Sequence, residues 1–382
     1  MTILSDQKRN ILSLVQNIFL KEKNELINLN VEEIYKIAKF HSIEYIIYEG
    51  LKNYNINIDN DFEKRCMILA TKSVNQSLEL NEIKNAFSIN GIDFMPLKGA
   101  VLQKLYPRIE YRNMTDIDIL IRKNDVEKAA KVLKELSYKY DSFSGNHYVF
   151  TKAPYMHLEL HIDLIHKSYD TSTYYNDIWN SVRIQHDDNN INEFVFTDND
   201  FYIYHIIHMA KHFCVGGSGL RTIIDFFIYL KEKKDYLDFE YIDNELEKVG
   251  LKKLSDIVKD CIDYIFYHQE KENIDDILTI IDYIFDSGTY GHTKNSSIVG
   301  VVKEGNKKKY IFRRLFPTYK EMKARFLVLE KVPILLPIFY VVRIVNSLSR
   351  IRVHKNRYVN VNNITEDDIN EMKRIREIIG VD

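Results

Sequence analysis

The chain has 382 residues, 45% hydrophobic and 28% charged, with a formal net charge of −2: ordinary values for a soluble globular protein with room for two or three domains. Three scattered cysteines (Cys66, Cys214, Cys261) lack metal-like spacing, which argues against a disulfide scaffold or a zinc site and points to a reducing compartment. The start reads unlike a signal peptide and no apolar run reaches about 18 residues, so a cytoplasmic chain without a membrane span is expected.

Scarce glycine (13) and proline (6) suggest much helix. Residues 1–90 read as a helical region: Ile11, Leu12, Val15, Ile18 and Phe19 recur at helical spacing, as do Leu69 to Phe87 more loosely. Asn90-Gly91 is a helix stop. Ile92 to Leu97 is short, apolar and broken by Pro96, a strand at a sheet margin. Lys98-Gly99-Ala100 turns the chain into a short helix ended by Pro107. Met114 to Ile121 alternates and is a strand, followed by a helix from Asn124 or Asp125 to Leu136. Tyr148 to Lys152 and Met156 to Ile165 form a hairpin around Ala153-Pro154. In its second strand Leu158, Leu160, Ile162 and Leu164 face one way, and His157, Glu159, His161 and Asp163 the other.

Helices resume over Phe201–His212, Leu220–Glu232, Leu251–His268 and Ile274–Phe285, with Gly216-Gly217-Ser218-Gly219 as a flexible joint. A last helix runs from Glu366 to Ile379. The fold class is therefore α/β: a small mixed sheet over 91–170, flanked by helices at 1–90 and 171–300 and by a basic, then apolar, helical region at 301–382. Between Lys303 and Arg357, 15 Lys or Arg face three Glu, about +12, leaving about −14 elsewhere. Such a stretch either meets an anionic partner or forms a solvated, internally paired face. Val332 to Leu348 is apolar but interrupted by Pro333, Pro337 and Arg343; it packs in a core or lies on a membrane surface with Arg343, Arg350, Arg352 and Arg357 towards headgroups.

The chemistry concentrates in the centre. Asp116 and Asp118, two apart on one strand, project from the same face roughly 6–7 Å apart at the backbone. Converging carboxylates repel, and a divalent ion such as Mg²⁺ (or Mn²⁺) relieves them and brings a phosphate with it. Gly99-Ala100 lies between a strand and a helix, where backbone N–H groups can meet that phosphate. Lys98 and Arg112 add positive charge. Glu159, His161 and Asp163 share one polar strand face. His208 and His212 are an i, i+4 pair that either packs or reaches the site; Arg221 and Asp225, also i, i+4, either pair or contact substrate.

The segment Phe94 to Ile121, with Leu97-Lys98-Gly99-Ala100, Leu105-Tyr106-Pro107 and Arg112-Asn113-Met114-Thr115-Asp116-Ile117-Asp118, resembles a bacterial family of uncharacterised nucleotidyltransferases in the polymerase-β-like superfamily. Glu159-Leu160-His161, His208, the Leu220-Arg221…Asp225 helix and RRLFPTYKEMKARF with VPILLP extend the resemblance over about 90–345. It implies transfer of a nucleoside monophosphate from an NTP to an unidentified acceptor, whether small molecule, glycan precursor or protein. Asp116, Asp118 and a third acid, Glu159 ahead of Asp163, would hold the metal. Lys98, Gly99, Ala100 and Arg112 would hold the triphosphate, and His161, Asp163, His208, Arg221 and Asp225 are candidate substrate contacts. Ala100 stands where the superfamily has Ser, so no hydroxyl is offered there. The alternatives are a nucleotide-binding regulatory protein without turnover and an RNA-directed transferase using the basic stretch.

Overall fold

A computed structural model describes residues 4–165, 170–176, 178–180, 184–187, 190–269, 271–289, 291, 293–326, 328–348 and 361–381. Four helices open the chain: α1 (Asp6–Leu20), α2 (Val31–Phe40), α3 (Glu44–Asn53) and α4 (Asn60–Ile89). Ser5, Asn30 and Asp59 cap α1, α2 and α4 by accepting from backbone N–H groups of the first turn. Along α4 the buried residues Leu69, Ser73, Gln76, Leu80, Ile83 and Phe87 alternate by four and three, one stripe against the sheet. Gly91, at φ +57°, ends the run as the sequence predicts.

The sheet has seven strands, β1 (Phe94–Pro96), β2 (Ile117–Ile121), β3 (Lys139–Phe143), β4 (His147–Lys152), β5 (Met156–His161), β6 (Ile184–Asp187) and β7 (Asn190–Phe196), in the order β3-β4-β5-β2-β1-β7-β6. It is mixed, as expected: β2 lies antiparallel to β1 and parallel to β5, and β7 parallel to β1. The sheet runs past the boundary expected at residue 170, because β6 and β7 add to its β1 edge. Between β1 and β2 lies α5 (Gly99–Leu102), and α6 (Val126–Glu135) follows β2.

The helical remainder comprises α7 (Asp198–Phe213), α8 (Leu220–Lys233), α9 (Phe239–Lys248), α10 (Lys252–Tyr267), α11 (Ile274–Ser287), α12 (Thr293–Glu304), α13 (Lys307–Leu315), α14 (Tyr319–Arg325), α15 (Val328–Lys331), α16 (Leu336–Leu348) and α17 (Glu366–Ile379). The Gly-rich joint is tightly packed: a Cβ on Gly217, at φ +97°, would sit 1.8 Å from the Ser287 hydroxyl. No helix among the described residues is long and apolar enough to cross a membrane.

Two hydrophobic clusters explain which faces are free for chemistry. Ile117, Ile119 and Ile121 of β2 and Leu158 and Leu160 of β5 pack with α4 and α6 on one side of the sheet. Met95 and Leu120 point the other way, into a larger cluster that unites α1 and α3 with α7, α8, α10 and α11. The alternate residues Asp118, Glu159 and His161 share that second face, under α7 and α8.

Candidate active site

Lys98 is the elbow between β1 and α5. Its backbone sits at φ 44°, ψ −114°, a region that L side chains avoid. Two contacts hold it there: Leu97 N–H donates to the Asp118 carbonyl at 2.9 Å, and Ala100 N–H donates to the Leu97 carbonyl at 3.0 Å. Gly99 follows because Met114 lies across it; a Cβ there would meet Met114 Cγ at 2.9 Å. The elbow aims Lys98 back over β2, where its ammonium reaches Asp118 Oδ1 at 2.6 Å.

Asp118 is 3% exposed and receives a second bond on the same oxygen, from His161 Nε2 at 2.8 Å. Burial alone would raise its pKa; the Lys98 charge and the His161 bond override that and hold it lowered. Burial likewise opposes the Lys98 ammonium, yet the Asp118 charge leaves its pKa raised. Asp116 has the opposite fate: burial and then the neighbouring Asp118 charge raise it to about 6. In register, Glu159 is directly opposite Asp118. It lies 3.3 Å from His161 Nε2 and 3.5 Å from His147 Nε2. Asp116, His157 and Glu159 each offer a ligand atom within 4.8 Å of the others, as do His147, Glu159 and His161.

Opposite these acids α7 and α8 present cations. Lys98, Lys211, His208, His212, Arg112 and Arg221 all line the same cavity, of about 280 Å³, as Asp116, Asp118 and Glu159. Burial and then the Lys98 charge lower the pKa of both Lys211 and His208; burial and then the Lys211 charge take His212 down to about 4. His208 and His212 are therefore held neutral, and the positive charge facing the cavity comes from Lys98, Lys211 and Arg221, which an anion would relieve.

The model of a family described as "Uncharacterised nucleotidyltransferase" matches residues 28–266. The chain belongs to that family. No curated protein and no solved structure matches it. The match takes in α2, α3 and α4 ahead of the sheet and stops within α10, so the likeness expected over 267–345 lies beyond it.

Within this family member the expected site residues divide. Lys98, Gly99, Arg112, Asp116, Asp118, Glu159, His208, Arg221 and Asp225 converge on the cavity, and His161 touches it through Asp118. Ala100 does not: its side chain is buried in the cluster beneath, and its N–H is committed to Leu97. Asp163 lies beyond the end of β5, paired with Lys123 at 2.8 Å. Asp116 precedes β2 rather than lying in it: pairing with β1 reaches only Pro96–Ile119, and pairing with β5 begins at Ile117–Leu158. Side chains hold the incoming segment off the ladder: Asn113 accepts from Ser73 through Oδ1 at 2.7 Å and from Arg112 through its carbonyl at 3.0 Å. His147, unforeseen, pairs with His161 across the hairpin, a position that counting back from Ala153-Pro154 would have reached. Lys211 was also missed, being next to the weighed His212 on α7.

Arg112 is not a free cation at the cavity edge. Its Nε lies 2.6 Å from Asp225 Oδ1, which also accepts from Tyr106 OH at 2.7 Å, and both charged groups are buried. Arg122, by contrast, is an open pair with Asp93 at 2.7 Å, stacked 4.6 Å from the Trp179 ring. Arg112→Ala should therefore cost roughly 3–5 kcal/mol of folding stability by stranding Asp225, and Arg122→Ala about 1 kcal/mol or less. Urea titration of both variants checks this; equal midpoints would remove the structural role of Arg112.

Proposed function

We propose that this chain transfers a nucleoside monophosphate from an NTP to an acceptor hydroxyl or phosphate, releasing pyrophosphate, with Mg²⁺ or Mn²⁺ held by Asp116, Asp118 and Glu159. One observation carries the reading: acids on the sheet and cations on α7 and α8 face each other across a single cavity. The donor set fits a divalent ion. Both bonds to Asp118 fall on Oδ1, so Oδ2 is the oxygen that remains for a metal. Burial, and then the neighbouring Asp118 charge, raise the Asp116 carboxyl, and a bound cation would offset both.

When bound, the ion supplies charge neutralisation at the phosphates and favours ionisation of the acceptor hydroxyl. The remaining work falls to the chain. Lys98 is fixed by its elbow beside Asp118 and, with Lys211 and Arg221, holds the phosphates in line. The Gly99 N–H, at a position with no side chain, adds a donor at close range. Glu159 takes the acceptor proton, and His147 and His161 on its two oxygens keep the carboxylate oriented. The family match supports nucleotidyl transfer as the reaction type.

Titration calorimetry with each NTP, with and without metal, beside a pyrophosphate-release assay, tests the reading. Metal-dependent binding with release is expected. Because His157 places a nitrogen donor beside Asp116 and Glu159, Mn²⁺ should saturate at several-fold lower concentration than Mg²⁺, and His157→Ala should erase the difference. Binding without release favours a second reading, a nucleotide-sensing protein. The observation for that reading is that Asp118 is already neutralised by Lys98 and His161, with Ala100 giving no hydroxyl. Absence of binding overturns both.

A further inference from the structure

The arm from α13 to α16 shows its apolar side to solvent. Among the described residues, 25 large hydrophobic side chains are exposed, and 12 of them fall between Phe312 and Val345. In α16 and the turn before it, Ile334, Ile338, Val341, Val342 and Val345 repeat at helical spacing and are 84%, 57%, 61%, 36% and 55% exposed. Their exposure is not a loosely placed helix. The opposite side of α16 is fastened down: Tyr340 OH donates to the Pro317 carbonyl at 2.6 Å, Phe339 packs on Phe326 with ring centroids 4.8 Å apart, and Arg343 donates to the Arg314 and Leu315 carbonyls. The helix therefore holds its apolar stripe outward, and Phe312, Leu315 and Phe316 of the same arm are exposed as well.

The charge of the arm is predominantly positive. Residues 303–348 carry 11 Lys or Arg against three Glu and no Asp, a net +8. Glu304 and Glu330 pair only at long range, 3.6 Å from Lys309, Arg313 and Lys323. We propose that this arm docks the protein on an anionic lipid bilayer, with α16 lying in the plane of the interface, its apolar stripe among the acyl chains and the surrounding Lys and Arg at the headgroups. Among the described residues α16 has 13, short of the about 20 that crossing needs. Charge complementarity selects the occupant, since a neutral apolar partner gains nothing from the cationic rim. Arg350, Arg352 and Arg357, expected at the headgroups from sequence, lie outside the described residues. The arm also lies beyond the family match, so docking is separable from the nucleotide site.

Sedimentation of the full chain with vesicles tests this. Phosphatidylcholine vesicles containing ~30 mol% phosphatidylserine should retain the protein, and pure phosphatidylcholine should retain it at least ~10-fold less. Ile338→Glu with Val341→Glu should lower retention at least ~10-fold, since each buries a charge among acyl chains. Lys308→Glu with Lys320→Glu should do so for the anionic vesicles and not for residual binding to neutral ones. All four residues are exposed, so an unchanged melting temperature and unchanged NTP titration confirm that fold and nucleotide site are untouched. The proposal is overturned if wild type ignores vesicles, if both double variants bind like wild type, or if RNA is bound while vesicles are not. It is also overturned if the wild type is a dimer in solution that Ile338→Glu with Val341→Glu dissociates, because a second copy then covers the face.

Discussion

Asp116→Asn should yield a folded protein, more stable than wild type at pH 8, whose pyrophosphate-release rate has dropped at least ~10³-fold. The two effects share one cause. Burial and the adjacent Asp118 charge raise the Asp116 pKa from 3.8 to about 6. The folded chain thus keeps this proton up to about pH 6, while the unfolded chain loses it near 3.8. Stability tied to Asp116 is present below the unfolded value and is lost as pH rises through the folded one. At pH 8 the ionised carboxylate penalises the fold by something on the order of 3 kcal/mol, which the amide removes. Asp118→Ala should lose activity as severely with the opposite effect on stability. It strands a Lys98 ammonium that is 21% exposed and a buried His161, at a cost of roughly 3 kcal/mol. Melting curves with and without Mn²⁺ complete the test: ligation should raise the wild-type midpoint and leave Asp116→Asn unmoved. Should Asp116→Asn melt lower than wild type and Asp118→Ala higher, the electrostatic ordering of the pair is wrong; should either retain full turnover, the metal assignment fails.

How much of this was legible beforehand differs by residue. Glu159 and His161 could be placed on one polar face because β5 alternates without interruption, and alternation with period two is a local property. The turn at Gly99 and the Asp pair were visible for the same reason, each being a short run whose geometry its neighbours decide. The final helix, Glu366–Ile379, carries its own start and stop, Thr365 capping one end and Gly380 at φ +68° the other. What escaped depends on distant partners. Asp163 continues the alternating pattern on paper, but β5 ends at His161 and Asp163 takes Lys123 instead. Arg112 reads as a cation beside acids, yet its partner Asp225 is 113 residues away on α8. Strand β3 is exposed along its whole length and so carries no hydrophobic signal. β7 lies far along the chain from β1, which it joins in parallel, a pairing that no turn motif announces.

The same distinction between local and distant causes governs Lys98. Its conformation, φ 44° and ψ −114°, is one that glycine adopts freely and a side chain adopts at a cost of about 1–3 kcal/mol. A lysine kept there implies that the ammonium matters more than the strain, and the two contributions can be measured apart. Lys98→Gly and Lys98→Ala both delete the ammonium and differ only by a Cβ. Each should lower nucleotide turnover by ~10²-fold or more, because the group that balances Asp118 and meets the phosphates is gone. Each should also lose the stability that the Asp118 pair supplied. Between them, however, the glycine variant should unfold at higher urea, by about 1 kcal/mol or more, because it alone relaxes the elbow. Equal stability would show that the strain is absorbed elsewhere; retained turnover in either would remove Lys98 from the site. Metal affinity then separates catalyst from sensor. In a working transferase the lysine cooperates with the ion through the bound triphosphate, so its loss weakens Mn²⁺ binding in the presence of NTP. In a protein where Lys98 substitutes for the ion at Asp118, its loss removes the charge that balances the carboxylate and leaves only the His161 bond on Oδ1, so Mn²⁺ should bind the variants more tightly than wild type while turnover stays absent in all three.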